Sequence, residues 1–424
     1  MRYTPARVAA ILTIALLAPL TAACGKGGDD GGSAKSPTGG ALKTGQGVTA
    51  KTISLGVLTD TSGVFAGLGG PLVDGNKLFW QQQNAKGGVC DRKVTLIVKD
   101  HGYDPQKGVS LYREIEPIVL ALQQLLGSPV AAALLPSIQK DGVLTALAAW
   151  PSQLTANPNI LVSGATYDIE AINGIDYLVD KGALGKGDKL GHVYFEGEYG
   201  ENALEGAKYA TQRHGIDLVE QKIKATDTDL SAAVAVFKRE GVKAILISAG
   251  PKQTASLAGV AAASGLDVPI VSNAPGFDPA LLATPAAPAL EKNLTMVSGT
   301  APYAANVPGA KEVSTAYAAN FPKGDPKYSV DAGYAQSRLM YEVLQRACAS
   351  GDLTREGVVK SLRGLNSVDT GGLVAGTLSY SKLGVPPSRS VYLSKVDKKA
   401  PGGLTPIGDV VESTNASSYE VPQS

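Results

Sequence analysis

The chain has 424 residues, of which 44% are hydrophobic and 18% charged. That length provides for two domains with sizeable cores. Lys plus Arg number 39 against 38 Asp plus Glu, a balance without the basic excess that a nucleic-acid binder carries. Three His and three Cys are too few for a zinc or iron–sulfur site, so no metal and no cofactor is expected.

Arg2 and Arg7 precede an apolar run from Val8 to Leu20 that is short for a membrane span and interrupted by Pro19. Thr21, Ala22 and Ala23 then lead into Cys24. Small residues before a cysteine resemble a bacterial lipobox, although Thr21 stands where Leu is usual. The expectation is a lipoprotein signal peptide over residues 1–23 and a lipid on Cys24, which places the protein outside the cytoplasm on the outer face of the cell membrane. Residues 24–51 are rich in Gly, Ser, Thr, Asp and Lys and read as a flexible tether. Export makes a disulfide between the remaining Cys90 and Cys348 permissible; a bridge and two buried thiols both stay open.

From Lys51 onward strands and helices alternate. Strands are expected over Ile53 to Thr59, Val94 to Val98 and Ile160 to Val162, with helices over Leu72 to Asn84, Gln106 to Pro117, Ser137 to Ala149 and Asp168 to Lys181. Val119 to Leu126 fits strand or helix equally by periodicity. A second series begins with strands at Leu190 to Phe195, Leu218 to Ile223, Val242 to Ile247 and Val268 to Val271. Its helices cover Glu201 to His214, Leu230 to Arg239 and Thr254 to Ala263. Helices over Ala332 to Ala349 and Thr354 to Leu362 follow, then short strands at Thr377 to Tyr380 and Val391 to Val396 and a frayed tail from Glu412. Near-continuous apolar strands alternating with helices imply parallel sheets covered on both faces, and the series runs twice. The class is α/β with two parallel-sheet lobes. Ligands of such sheets sit beyond the carboxyl ends of the strands, so the informative residues are those just after each strand. Ser62, in the turn that follows the first strand, is one candidate.

The ordered series resembles the leucine/isoleucine/valine-binding group of type I periplasmic binding proteins. The resemblance is carried by ISLGVLTDTSG (Ile53 to Gly63), QQQNAKGGVCDRKVTLIVKD (Gln81 to Asp100), GEYGENAL (Gly197 to Leu204) and SVDTGGLVAGTLSYSKLG (Ser367 to Gly384). It implies two Rossmann-like lobes joined by a three-strand hinge, with crossings near Tyr167, Val297 to Thr300 and Ser388. One lobe would hold residues 52–167 and 301–387, the other 168–300 and 388–413, with 414–424 as a tail. It implies a monomer that takes a small polar ligand (an amino acid, amide or small carboxylate) in the cleft and delivers it to an ABC permease. A sensor feeding a membrane receptor or kinase is the alternative.

Position by position, Gly164 and Thr166 match a family stretch that contacts a carboxylate. The turn Gly127 to Ala131 replaces a ligand-binding Ser by Ala131, with Ser128 close by. Tyr199 matches a cleft-facing tyrosine. The family's acid for a ligand amino group falls after the strand ending in Asn273, where no Asp or Glu stands; Asn273 itself is a ligand-binding candidate, and Glu198 and Asp278 are the nearby substitutes for the acid. Phe65, Phe277 and Tyr303 are candidates for an aromatic wall. No G-x-S-x-G, H-E-x-x-H or phosphate-loop pattern occurs, and no enzyme activity is expected.

Overall fold

The computed structural model describes residues 42–303 and 305–422. The expected signal peptide and Cys24 lie outside the described residues. Five parallel strands form the first sheet: β1 (Thr52–Thr59), β2 (Lys93–Asp100), β3 (Ala121–Leu126), β4 (Thr145–Ala148) and β5 (Ile160–Val162), in the order β2-β1-β3-β4-β5. The second sheet holds β6 (Lys189–Phe195), β7 (Asp217–Ile223), β8 (Ala244–Ser248), β9 (Ile270–Asn273), β10 (Leu294–Ser298), β11 (Tyr392–Val396) and β12 (Leu404–Pro406). Its order is β12-β11-β10-β9-β8-β6-β7, parallel except for the pairs made by β11. The parallel parts of both sheets share one topology, with the strand order reversing beside β1 in the first and beside β6 in the second.

Helices α1 (Ala66–Ala85), α2 (Pro105–Ile115), α3 (Ser128–Asp141), α4 (Tyr167–Asp180), α5 (Glu198–His214), α6 (Ser231–Glu240) and α7 (Pro251–Ala263) follow their strands in turn. They are followed by α8 (Ala287–Asn293), α9 (Pro308–Asn320), α10 (Tyr328–Ala349), α11 (Arg355–Arg363) and α12 (Thr414–Ser418). The chain passes between the sheets after β5, after β10 and before β11. At the first two crossings Gly164 and Gly299 lie side by side, with Val374 against Gly164.

Four expectations are corrected. The helix read over Ser137 to Ala149 is α3, which starts at Ser128 with Pro129 in its first turn and stops at Gly142 (φ 65°), followed by β4. Gly142 takes the left-handed conformation that closes a helix. Helix α1 starts at Ala66, ahead of Gly67, Gly69, Gly70 and Pro71. The tether stops short of Lys51, because Lys43–Thr44 pairs with Asp352–Leu353 and Val48 bridges to Ile53. The tail is packed: Ala416, Tyr419 and Val421 are buried against α4, α5 and the second sheet.

Strand β3 is buried along its whole length although it carries Gln123 and Gln124. The oxygen and the nitrogen of each amide are paired. Gln124 accepts from Asn76 (2.6 Å) and donates to Thr59 (2.9 Å), while Gln123 accepts from Trp80 (2.9 Å) and donates to Asn76 (3.2 Å). Buried amides are tolerated only when paired in this way. Ser337 of α10 donates to Asn76 as well (2.7 Å), tying α10 to α1 and β3. The disulfide Cys90–Cys348 joins the turn before β2 to the end of α10, with Cα atoms 6.0 Å apart.

Helices α1 and α10 approach backbone to backbone. A Cβ on Gly75 would overlap the carbonyl oxygen of Val330, and one on Gly333 that of Leu72. Gly333→Ala is therefore expected to lower unfolding stability by about 1–3 kcal/mol, the cost of overpacking a closed interface, read as a reduced urea midpoint.

Candidate ligand-binding site

Each turn after a strand is built by local hydrogen bonding. After β1, the Asp60 carboxylate accepts from the backbone N–H groups of Ser62 (3.1 Å), Gly63 (2.5 Å) and Phe65 (2.8 Å). This turn delivers Phe65 to the entrance of α1. After β2, Asp100 accepts from Thr61 N (2.9 Å), Ser62 Oγ (2.7 Å) and Gly102 N (3.0 Å). Burial opposes its charge, but these donors outweigh it and hold the carboxyl down at about 2.

The two points of strand-order reversal face one another across a narrow cavity. The first sheet contributes Phe65 after β1, Tyr103 after β2, Leu126 to Ser128 after β3, Ala148 and Trp150 at β4, and Tyr167 after β5. The second contributes Tyr199 after β6 and Pro275 after β9; α1 adds Leu68 and Leu72, and α10 adds Tyr328, Ser329 and Ala332. Phe65 and Tyr103 meet edge to face at 5.0 Å, Trp150 and Tyr167 at 5.9 Å, and the Tyr167 and Tyr199 rings lie 4.3 Å apart. The Tyr199 hydroxyl donates to Ala249 O (3.4 Å) and that of Tyr328 to Ala274 O (2.7 Å). Burial raises both phenols well above their ordinary range, so they stay neutral and turn ring surface toward the cavity. No Asp, Glu, Lys, Arg or His is among the lining residues.

Of the seven expected ligand-binding residues, Ser128 and Tyr199 line this cavity. Gly164 lines a smaller adjoining cavity that shares Trp150 and Tyr328 as walls. The other four are placed elsewhere. Ser62 is exposed and spent on Asp100. Ala131 packs inside α3 against the first-sheet core. The Thr166 hydroxyl donates to Asp168. Asn273 is buried, accepting from Ser248 (2.6 Å) and donating to Tyr167 O (3.1 Å) and Glu170 (3.0 Å). Of the aromatic candidates, Phe65 lines the cavity while Phe277 and Tyr303 are core. Tyr103, Trp150, Tyr328 and Ser329 are additions. Tyr103 and Trp150 sit just past strand ends, the position that marks ligand contacts in open α/β sheets, but Trp150 was hidden while β4 read as helix.

Of the acids near the cavity, Glu198 is exposed and Asp278 is committed. Asp278 pairs with Lys327, whose Nζ lies 2.8 Å from its Oδ2. Lys327 is 1% exposed; it also donates to Gly67 O (3.1 Å) and pairs with Asp325 (2.5 Å), so its three N–H groups are used. Pro71 explains the Gly67 contact. It has no N–H to offer the carbonyl four residues before it, and the Lys327 ammonium takes that place. A ligand ammonium would find no free acid in this lining.

Glu170, on the first turn of α4, is buried behind the cavity. It accepts from Asn273 Nδ2 (3.0 Å), Ala274 N (3.2 Å) and Gly299 N (3.2 Å). Burial dominates over these donors, and nearby Asp168 adds to it, pushing the carboxyl up to about 8.

The periplasmic binding protein family model matches residues 52–401. A fatty acid ABC transporter substrate-binding protein from Thermomonospora curvata is 42% identical, with a TM-score of 0.87 over 90% of this chain and 97% of that one. Two more distant structures share the fold. A branched chain amino acid ABC transporter protein from Thermus thermophilus with bound valine has 17% identity, a TM-score of 0.75 and coverage of 87% and 98%. A solute binding protein from Rhodopseudomonas palustris in complex with 3,4-dihydroxy benzoic acid has 19% identity, a TM-score of 0.70 and coverage of 85% and 97%. No curated protein matches the chain.

The raised Glu170 carboxyl yields a pH signature. The folded state holds this proton more tightly than the unfolded chain, so the group's contribution is lost as pH rises. Wild-type stability relative to Glu170→Gln should fall between the ordinary Glu value, about 4.5, and about 8, at up to about 1.4 kcal/mol per pH unit. Urea midpoints of both proteins across that window check it; a constant difference would refute it.

Proposed function

This chain belongs to the periplasmic binding protein family, and from that premise we propose that it is the solute-binding component of an ABC importer whose ligand is a monocarboxylate with an apolar chain, of the fatty-acid kind. The observation that carries the ligand class is the cavity lining: aromatic rings, leucines and alanines, with no ionisable acid or base. An amino acid would bury its ammonium there without a counter-charge, which costs several kcal/mol. An acyl chain gains about 0.8 kcal/mol for each methylene it removes from water. The relative described as a fatty acid ABC transporter substrate-binding protein, at 42% identity, supports the same class.

In this reading residues 52–167 with 301–387 and residues 168–300 with 388–413 are two lobes that hinge at the three crossings. Ligand favours the closed form by touching both at once, and that form is the one a permease accepts. The family places the protein outside the cytoplasm. We further propose that residues 1–23 are removed and that Cys24 carries the lipid anchoring the monomeric protein to the membrane.

Two measurements test these readings. Saturating dodecanoate should raise the melting temperature by several degrees, since ligand at a hundred times Kd adds about 2.7 kcal/mol; valine and leucine should not. Affinity should rise about fourfold per added methylene until the cavity is full. A shift with valine and none with any fatty acid would overturn the ligand class. In a bacterial host that processes lipoproteins, Cys24→Ser should move the protein from the membrane fraction to the soluble one, as read by fractionation and intact mass. Unchanged membrane retention would remove the anchor.

A further inference from the structure

Trp150 and Tyr328 line both the main cavity and the smaller one beside it, so their rings stand between the two. The two spaces differ in kind. Behind the rings stand Ser163, Ser298, Thr300 and the Glu170 carboxyl, whereas the main cavity is walled chiefly by rings, leucines and alanines. The indole is held from several sides. Its Nε1–H donates to Ser163 Oγ on the polar side (3.3 Å), and its ring meets that of Tyr167 edge to face. The Trp150 carbonyl accepts from Tyr167 N (3.0 Å), and Ser152, two residues on, is bonded to Asp168 and Asn202. Tyr328 is fixed by its bond to Ala274 O. The partition is therefore a built wall, with a second, polar space closed off behind it.

We propose that Trp150 is a specificity-determining residue: its indole ends the apolar cavity against the tail of the ligand, closes off the polar space behind, and so selects a plain alkyl end over one that carries a hydroxyl. The inference rests on the apolar-monocarboxylate reading and deepens it by naming what limits the tail. The tail belongs at this end because Trp150, Tyr199 and Tyr328 all turn their polar atoms away from the cavity, to Ser163 Oγ, Ala249 O and Ala274 O. A hydroxyl pressed against those ring faces would lose its water and gain no partner. With the indole removed, the same hydroxyl would reach the polar space and donate to Ser163 Oγ in place of the lost Nε1–H.

The test measures dodecanoate and 12-hydroxydodecanoate, which differ only at the tail, by titration calorimetry. Wild type should bind the hydroxy acid about tenfold or more weakly than the plain one, the cost of an unmet buried hydroxyl. Trp150→Ala and Trp150→Leu should each shrink that ratio to about threefold or less, because the hydroxyl then finds a partner. Trp150→Phe keeps a ring in the partition without the N–H and should hold most of the wild-type ratio. Ligand-free melting shows which variants are folded; leucine fills more of the space than alanine and serves where alanine does not fold. A wild-type ratio near one, or a ratio unchanged in a folded Ala or Leu variant, would overturn the assignment of Trp150 while leaving the ligand class intact. Failure of wild type to bind either acid would overturn both.

Discussion

The carboxyl of Glu170 is the fastening on which the site geometry depends. It stands in the first turn after the chain crosses from one sheet to the other. From there it takes hydrogen bonds from Asn273 and Ala274 at the end of β9 and from Gly299 at the next crossing. Three segments far apart in sequence are thereby held at one point. Tyr167, Pro275 and the carbonyl that receives the Tyr328 hydroxyl are all within a few residues of those contacts. A buried carboxyl is costly, and this one keeps its proton well into the neutral range. The cost is tolerated because no aliphatic side chain could accept from three N–H groups placed in this way.

Around that point the polar groups are spent before a ligand arrives. Tyr199 and Tyr328 donate to backbone carbonyls, Thr166 donates to Asp168, and Asn273 serves Glu170. Asp278 neutralises Lys327. Residue types that would suit a polar guest in a list of side chains therefore leave an apolar chamber once their partners are counted. Among the lining residues Ser329 keeps a buried hydroxyl without a hydrogen bond.

The sheets were legible because a strand buried on both faces must be apolar along its length, as in Ile53 to Thr59 or Val242 to Ile247. Strand β4 escaped because Thr145–Ala148 continues the Ala- and Leu-rich pattern of the helix before it, and only the left-handed Gly142 separates them. The order of residues after each strand drew attention to Ser128 and Tyr199, which line the cavity. Ala131 faces the first-sheet core, and position along a strand end does not say whether a neighbour has already claimed a hydroxyl or amide, as at Ser62, Thr166 and Asn273. Asp100 and Asp168, which claim two of them, lie 38 residues and two residues away in sequence; neither spacing signals the contact. Tyr328 and Ser329 were out of reach for a different reason. They begin a helix that packs on α1, and nothing in the local sequence ties them to turns more than a hundred residues earlier.

The link from Pro71 to Lys327 shows how one local rule propagates to ligand choice. Proline in the second turn of α1 leaves the Gly67 carbonyl without its helical donor. A lysine ammonium buried beside it satisfies that carbonyl, and the ammonium in turn requires an anion, which Asp278 supplies. The acid nearest the place where an amino group would be recognised is thus consumed by the packing of α1. Replacing it with a free acid would require breaking a buried ion pair, which is more costly than any single exposed contact. The apolar character of the chamber is therefore set by the helix that walls it as much as by the side chains that line it.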